Sequence, residues 1–146
     1  DPNAFKLPKP SVAGSEFDFS FSGLKTAVIN MLHNAEQKGI TLNRNDLAAS
    51  LQSDIAAILT DKTIRAAQSL GYKKVALAGG VSANTGVRAA LSEACKKHGF
   101  EFYMPLKSLC GDNGAMIACQ GSYNFLAGIR ADESLNAVAT LSMEEI

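Results

Sequence analysis

The spacing of apolar positions changes along the chain, and each change marks an element. Glu16-Phe17-Asp18-Phe19-Ser20-Phe21 alternates apolar and polar residues, the period of a half-buried strand. Ser22 then reads as the N-cap of a helix with Leu24, Val28, Leu32 and Ala35 on one face, closing at Gly39. A second helix is predicted from about Asn45 to Leu70, its stripe made of Leu47, Leu51, Ile55, Ile58, Ala66 and Leu70. Val75-Ala76-Leu77-Ala78 is apolar throughout, as a strand covered on both faces would be. Val87, Leu91 and Ala94 set a helix over Thr85 to His98, and Phe100-Glu101-Phe102-Tyr103-Met104 alternates again until Pro105. Ala115, Met116, Cys119, Tyr123 and Leu126 mark a last helix that Gly128 terminates. The order strand, two helices, strand, helix, strand, helix predicts an α/β layer structure with mostly parallel pairing.

Outside these segments the pattern fades. Residues 1–15 carry three of the four prolines (Pro2, Pro8, Pro10) and read as an extended linker. Residues 16–128 then form one lobe, and 129–146, without periodicity, form a tail expected to pack on a surface this chain does not supply. The first residues, Asp1-Pro2-Asn3-Ala4, lack a methionine, which reads as a piece cut from a longer protein.

Composition narrows the function classes. Fourteen Lys and Arg balance fourteen Asp and Glu, so there is no basic excess of the kind a stand-alone nucleic-acid binder shows. RNA contact would need another domain or subunit. Three cysteines without CxxC spacing favour neither a disulfide framework nor a zinc site and suit a reducing cytosol. No stretch approaches the ~20 apolar residues of a membrane span, and no signal peptide is visible.

Candidate chemistry gathers where strands meet helices. Gly79-Gly80-Val81-Ser82-Ala83-Asn84 follows the Val75–Ala78 strand and precedes a helix. A glycine pair lets a ligand approach the backbone, and the helix entrance offers N–H groups and a positive dipole end that suit a phosphate. Asn84, read as lying one turn into the helix, could donate to and accept from a ligand, or Ser82 or Asn84 could merely cap. Asp112, in Gly111-Asp112-Asn113, is either the N-cap of the last helix or one metal ligand. A metal site needs about three protein ligands, and His33 and His98 both fall late in predicted helices. Ser22, Gly23 and Lys25 either line the same cleft or simply begin a helix; their chemistry does not choose.

Three segments resemble signature sequences of one family. Phe-Asp-Phe-Ser-Phe-Ser-Gly-Leu-Lys-Thr (17–26), Ala-Gly-Gly-Val-Ser-Ala-Asn (78–84) and Asp-Asn-Gly-Ala-Met-Ile-Ala (112–118) are similar to, and ordered as in, the TsaD family, once named O-sialoglycoprotein endopeptidase or glycoprotease. The resemblance implies the C-terminal half of a bacterial member, a lobe of the actin-like ATPase (ASKHA, ribonuclease H-like) fold. It also implies transfer of threonylcarbamoyl from threonylcarbamoyl-AMP to N6 of adenine 37 in tRNAs that read codons starting with A. Gly79, Gly80 and Asn84 match substrate-binding positions, and Asp112 matches a ligand of an iron or zinc ion. The other two ligands, histidines of an H-x-x-x-H motif, belong to an N-terminal lobe absent from this chain, so the piece alone is expected to be inactive, and no catalytic residue is assigned in it. TsaB- and TsaE-type proteins are the implied partners, and the cytoplasm the implied compartment. Where the family commonly reads Thr-Asp-Asn-Ala-Ala, this chain has Gly111-Asp112-Asn113-Gly114-Ala115, which weakens the helix start and keeps the aspartate. A rival expectation is a non-catalytic nucleotide-binding scaffold lobe of the same superfamily. Proteolysis is not expected, since the chain has no nucleophile–base pair and no H-E-x-x-H.

Overall fold

The computed structural model describes residues 1–9 and 11–140. Its elements run α1 (Ser22–Gln37), α2 (Arg44–Ser69), β1 (Lys74–Ala76), α3 (Thr85–His98), β2 (Glu101–Tyr103) and α4 (Gly114–Leu126). Two 3₁₀ turns, Gly80–Ala83 and Lys107–Leu109, interrupt the connections. The chain falls into two compact units, Asp1–Gly111 and Asp112–Ile146.

In the first unit, β1 and β2 pair in parallel with Val75 opposite Phe102, and α3 makes the crossover between them. The α/β class and parallel pairing are therefore as predicted, with a smaller sheet. Ile64 and Ala67 of α2 pack with Val75, Cys95 and Phe100, while Ala56, Val87 and Leu91 form the neighbouring cluster between α2 and α3. Ile64, Val75, Val87 and Leu91 each contribute about 1.5–3 kcal/mol on full burial. The predicted two-sided burial of the first strand does not occur: Val75 is buried, but Lys74 and Ala76 are exposed. Among the described residues of this unit, α2 and α3 cover the Val75 side, leaving Lys74 and Ala76 open.

The strand predicted over residues 16–21 does not form either; the segment runs irregularly into α1. Alternation makes a strand only where a neighbour pairs its N–H and C=O groups, and the described residues give it none. Phe21 packs instead with Leu7, Leu24 and Leu47, and the Phe19 ring lies 5.5 Å from Lys62 Nζ. Burial of Leu7 docks the N-terminal segment onto α1 and α2, although residues 1–9 hold no helix or strand.

Helix ends shift for local reasons. The backbone position before α1 is Phe21, without a side-chain cap, and Ser22 is the first helical residue rather than the N-cap. The start of α2 is set by Asn43, whose Oδ1 accepts from the N–H groups of Asn45 and Asp46 at 3.0 and 3.3 Å. Leu70, expected in the apolar stripe of α2, is 62% exposed because the helix ends at Ser69.

In the second unit, α4 is opened by Asn113, whose Oδ1 accepts from Met116 N–H at 3.0 Å. Asp112 is therefore not the N-cap that one reading gave it. None of the residues of α4 is buried, and residues 129–140 are exposed without helix or strand. Residues 141–146 of the predicted tail, like Pro10 of the predicted linker, lie outside the described residues.

Candidate functional site

The turn after β1 needs glycine at one of its two positions. Gly79 has φ +80° and ψ 174°, a conformation essentially closed to residues with a Cβ, whereas Gly80 opens the 3₁₀ turn with ordinary geometry. A Cβ at either glycine would meet nothing within 4 Å, so the backbone here faces open space. Ser82 N–H donates to Gly79 O and Asn84 N–H to Val81 O. The N–H groups of Gly80, Val81 and Thr85 have no acceptor among the described residues.

Asn84 sits at the N-cap of α3, one position outside the helix and not one turn into it. Its Oδ1 accepts from Gly86 and Val87 N–H at 2.9 and 3.1 Å. The acceptor end of the amide is thus committed to the helix, and two of the N–H groups expected to await a ligand are capped. The donor end is looser: Asn84 Nδ2 gives a long 3.5 Å contact to Gln52 Oε1.

Sequence reasoning missed Gln52, Gly86 and Arg88. Gln52 of α2 reaches Asn84 because Gly86 leaves room; a Cβ on Gly86 would come within 3.0 Å of Gln52 Nε2 and 3.3 Å of Asn84 Oδ1. The signal available was a glycine in the first turn of a helix, a poor helix former without a local reason to be there. Gln52 and Asn84 form the polar edge of a cleft of about 530 Å³ whose walls include Phe21, Leu51, Ile55 and Val87. Such an apolar cleft with few convergent polar groups has the general character of a small-molecule site.

Arg88, also unremarked in the sequence, anchors the turn from behind. Its Nε donates to Ser82 O, and its Nη2 to Pro105 O at 2.6 Å and to Cys110 Sγ at 3.1 Å. Ser82 is fully buried, and its hydroxyl has no hydrogen bond of good geometry among the described residues. The Ser82 hydroxyl beside Cys110, together with Arg88 and Lys107, holds that thiol below its ordinary pKa against the opposing effect of burial.

Gly79, Gly80 and Asn84 thus come together in the first unit. Asp112 is exposed and belongs to the second. Ser22, Gly23 and Lys25 are exposed on the first turn of α1. His33 is exposed on α1, and His98 ends α3 with its Nδ1 3.0 Å from Gln68 Nε2. No three His, Cys, Asp or Glu side chains converge among the described residues, so these residues by themselves do not fit a complete metal site. No helix among the described residues is long and apolar enough to cross a membrane.

Residues 1–119 match the sequence profile of the TsaD family, tRNA N6-adenosine threonylcarbamoyltransferase. The chain is 46% identical to the tRNA N6-adenosine threonylcarbamoyltransferase of Listeria innocua over 99% of its own length. The proteins of the same name from Limosilactobacillus fermentum and Staphylococcus epidermidis are 47% and 43% identical over 99% and 97% of it. In each case the match spans 42% of the relative's length, so the chain corresponds to one lobe of these proteins. Helices against a small parallel sheet are consistent with a lobe of the actin-like ATPase fold.

Proposed function

Because the chain belongs to the tRNA N6-adenosine threonylcarbamoyltransferase family, we propose that it supplies one wall of a threonylcarbamoyl-transfer site. The glycine turn would receive the adenylate of threonylcarbamoyl-AMP. The observation that carries this reading is the unbonded Gly80 and Val81 N–H pair, beside open space at both glycines and next to the cleft edged by Asn84 and Gln52. Backbone donors of this kind suit phosphate oxygens. The donor end of Asn84 would serve a ribose or base oxygen or nitrogen, since its acceptor end is committed to the cap.

In the proposed reaction the N6 amine of a tRNA adenine attacks the carbamoyl carbon. A C–N bond forms, the bond from that carbon to the phosphate oxygen breaks, AMP departs and the amine loses a proton. The turn donors would stabilise the negative charge that grows on the departing phosphate, and holding the two reactants together would supply much of the acceleration. Asp112 is proposed as one donor to a divalent metal ion, iron or zinc, completed by residues outside this chain. When bound, such an ion supplies Lewis-acid polarisation. The tRNA, TsaB- and TsaE-type proteins and an N-terminal lobe are the proposed partners, acting in the cytoplasm.

Titration of AMP into the isotope-labelled chain, followed by amide NMR, tests the adenylate site. Shifts should centre on Gly79 to Asn84, with affinity below that of a complete two-walled site because the ligand is only partly desolvated. Shifts centred elsewhere, or unchanged in Asn84→Ala, would remove the assignment.

A further inference from the structure

Arg88 occupies a place that local rules disfavour. It lies in the first turn of α3, where the helix dipole opposes a cation, and it has no ion pair among the described residues. A residue that breaks a local rule without a charge partner calls for a compensating reason. The reason is geometric: one half-buried guanidinium donates to the Ser82 carbonyl of the glycine turn, the Pro105 carbonyl and the Cys110 sulfur. It thereby ties the loop after β1 to the segment after β2.

We infer that Arg88 is a positioning residue for the proposed adenylate site. Its guanidinium grips the Ser82 carbonyl and fixes the adjoining peptide planes, so that the Gly80 and Val81 N–H donors are held in place before a ligand arrives. The turn has little else to hold it. Internally it is closed only by the bonds of one short 3₁₀ turn, Ser82 N–H to Gly79 O and Asn84 N–H to Val81 O among them, and Gly80 carries no side chain to restrain it. A lysine's three donors all sit on one nitrogen, so they do not span separated acceptors as the planar fork does.

This inference rests on the nucleotide reading for its function, but the bracing itself can be measured without nucleotide. Two readouts on wild type, Arg88→Met and Arg88→Lys separate them. The first is amide hydrogen exchange at Ser82 and Asn84, compared with Leu91 and Cys95 in the body of α3. Arg88→Met should speed exchange at the two turn amides by on the order of tenfold or more, with the α3 amides slowed or sped by much less. The second is AMP affinity by NMR titration, which should fall about tenfold in Arg88→Met, a cost in the range that lost preorganisation produces. Arg88→Lys should keep the melting temperature yet recover only part of either property.

Unchanged turn exchange in a folded Arg88→Met would overturn the bracing, whatever nucleotide does. Faster turn exchange with unchanged AMP affinity would overturn the positioning role. Full recovery of both readouts by Arg88→Lys would do the same, since charge alone would then suffice. If wild type shows no AMP shifts at the turn, the adenylate reading fails by itself, and the bracing stands or falls on exchange.

Discussion

Helices α3 and α4 begin and end alike. They have 14 and 13 residues, each opens with an asparagine whose side-chain oxygen accepts from the first turn, and each runs into a glycine with positive φ, Gly99 directly after α3 and Gly128 beyond Ala127 after α4. Yet α3 buries Val87, Leu91 and Cys95, while α4, the more apolar sequence, buries nothing. Caps and periodicity specify that a helix forms; what it packs on decides how firmly it is held. The glycine turn is attached to the firmly held helix and is braced by Arg88, whereas Asp112 precedes the other one. A ligand-binding turn gains from a rigid support because ordering costs are met on folding and not on binding.

The widest expected gap between the two helices is in core truncation. Leu91→Ala removes a side chain that is 4% exposed and should cost about 2–5 kcal/mol in urea unfolding. Ile117→Ala, at a position 65% exposed, should stay within about 0.5 kcal/mol. Equal losses would erase the contrast. Cysteine labelling offers a second, independent probe. Cys119 of α4 is exposed, while Cys95 of α3 is buried and burial pushes its thiol pKa up. At neutral pH both access and the smaller thiolate fraction slow Cys95, so alkylation should favour Cys119 by on the order of a hundredfold or more, closing only as the first unit opens. Site-resolved mass spectrometry reads the two rates directly.

A smaller effect distinguishes the two turn glycines. Gly79→Ala forces a Cβ into a backbone conformation reserved for glycine and should cost about 1–3 kcal/mol. Gly80→Ala meets open space at ordinary geometry, so stability should change by less than about 0.5 kcal/mol. If AMP occupies that space, Gly80→Ala should weaken binding while leaving the fold intact. Loss of affinity only in proportion to loss of stability would argue for a turn that is structural alone.

These contrasts also show which parts of the molecule its sequence makes legible. Helical periods survive because a helix bonds to itself, so all four helices were placed within a few residues. The alternation of Phe17, Phe19 and Phe21 misleads because a strand needs a partner, and partnership is not a local property. Gly79 and Asn84 were recognisable from residue type and position, although the capping role that commits the Asn84 oxygen depends on its exact register at the helix start. Gln52 and Arg88 gave no comparable signal, and Gly86 only the oddity of a glycine in the first turn of a helix. Gln52 lies 32 residues before Asn84 and meets it only because α2 and α3 pack together, and Arg88 acts through the Ser82 and Pro105 carbonyls, which the identity of those residues does not advertise.

The smallest predicted effect concerns the loop before α4, and it separates two roles that adjacent residues divide. Asn113 caps α4 through Met116 N–H, so Asn113→Ala should cost that helix about 0.5–1 kcal/mol, visible as a slight loss of helicity by circular dichroism. Asp112 stands one residue earlier, exposed, so Asp112→Asn should leave helicity unchanged to within a few tenths of a kcal/mol of charge–dipole energy. If Asp112 is a metal donor to the proposed transfer site, the order of effects reverses in the longer protein that includes the proposed N-terminal lobe. Asp112→Asn should then lower metal content and threonylcarbamoyl transfer together, because a carboxylate ligand has become a neutral amide. Asn113→Ala should retain most of both. Metal content by mass spectrometry and transfer to tRNA, measured on the same preparations, give the comparison. Full metal and full transfer in Asp112→Asn would leave that carboxylate without a role at the site and would favour the scaffold reading of this lobe.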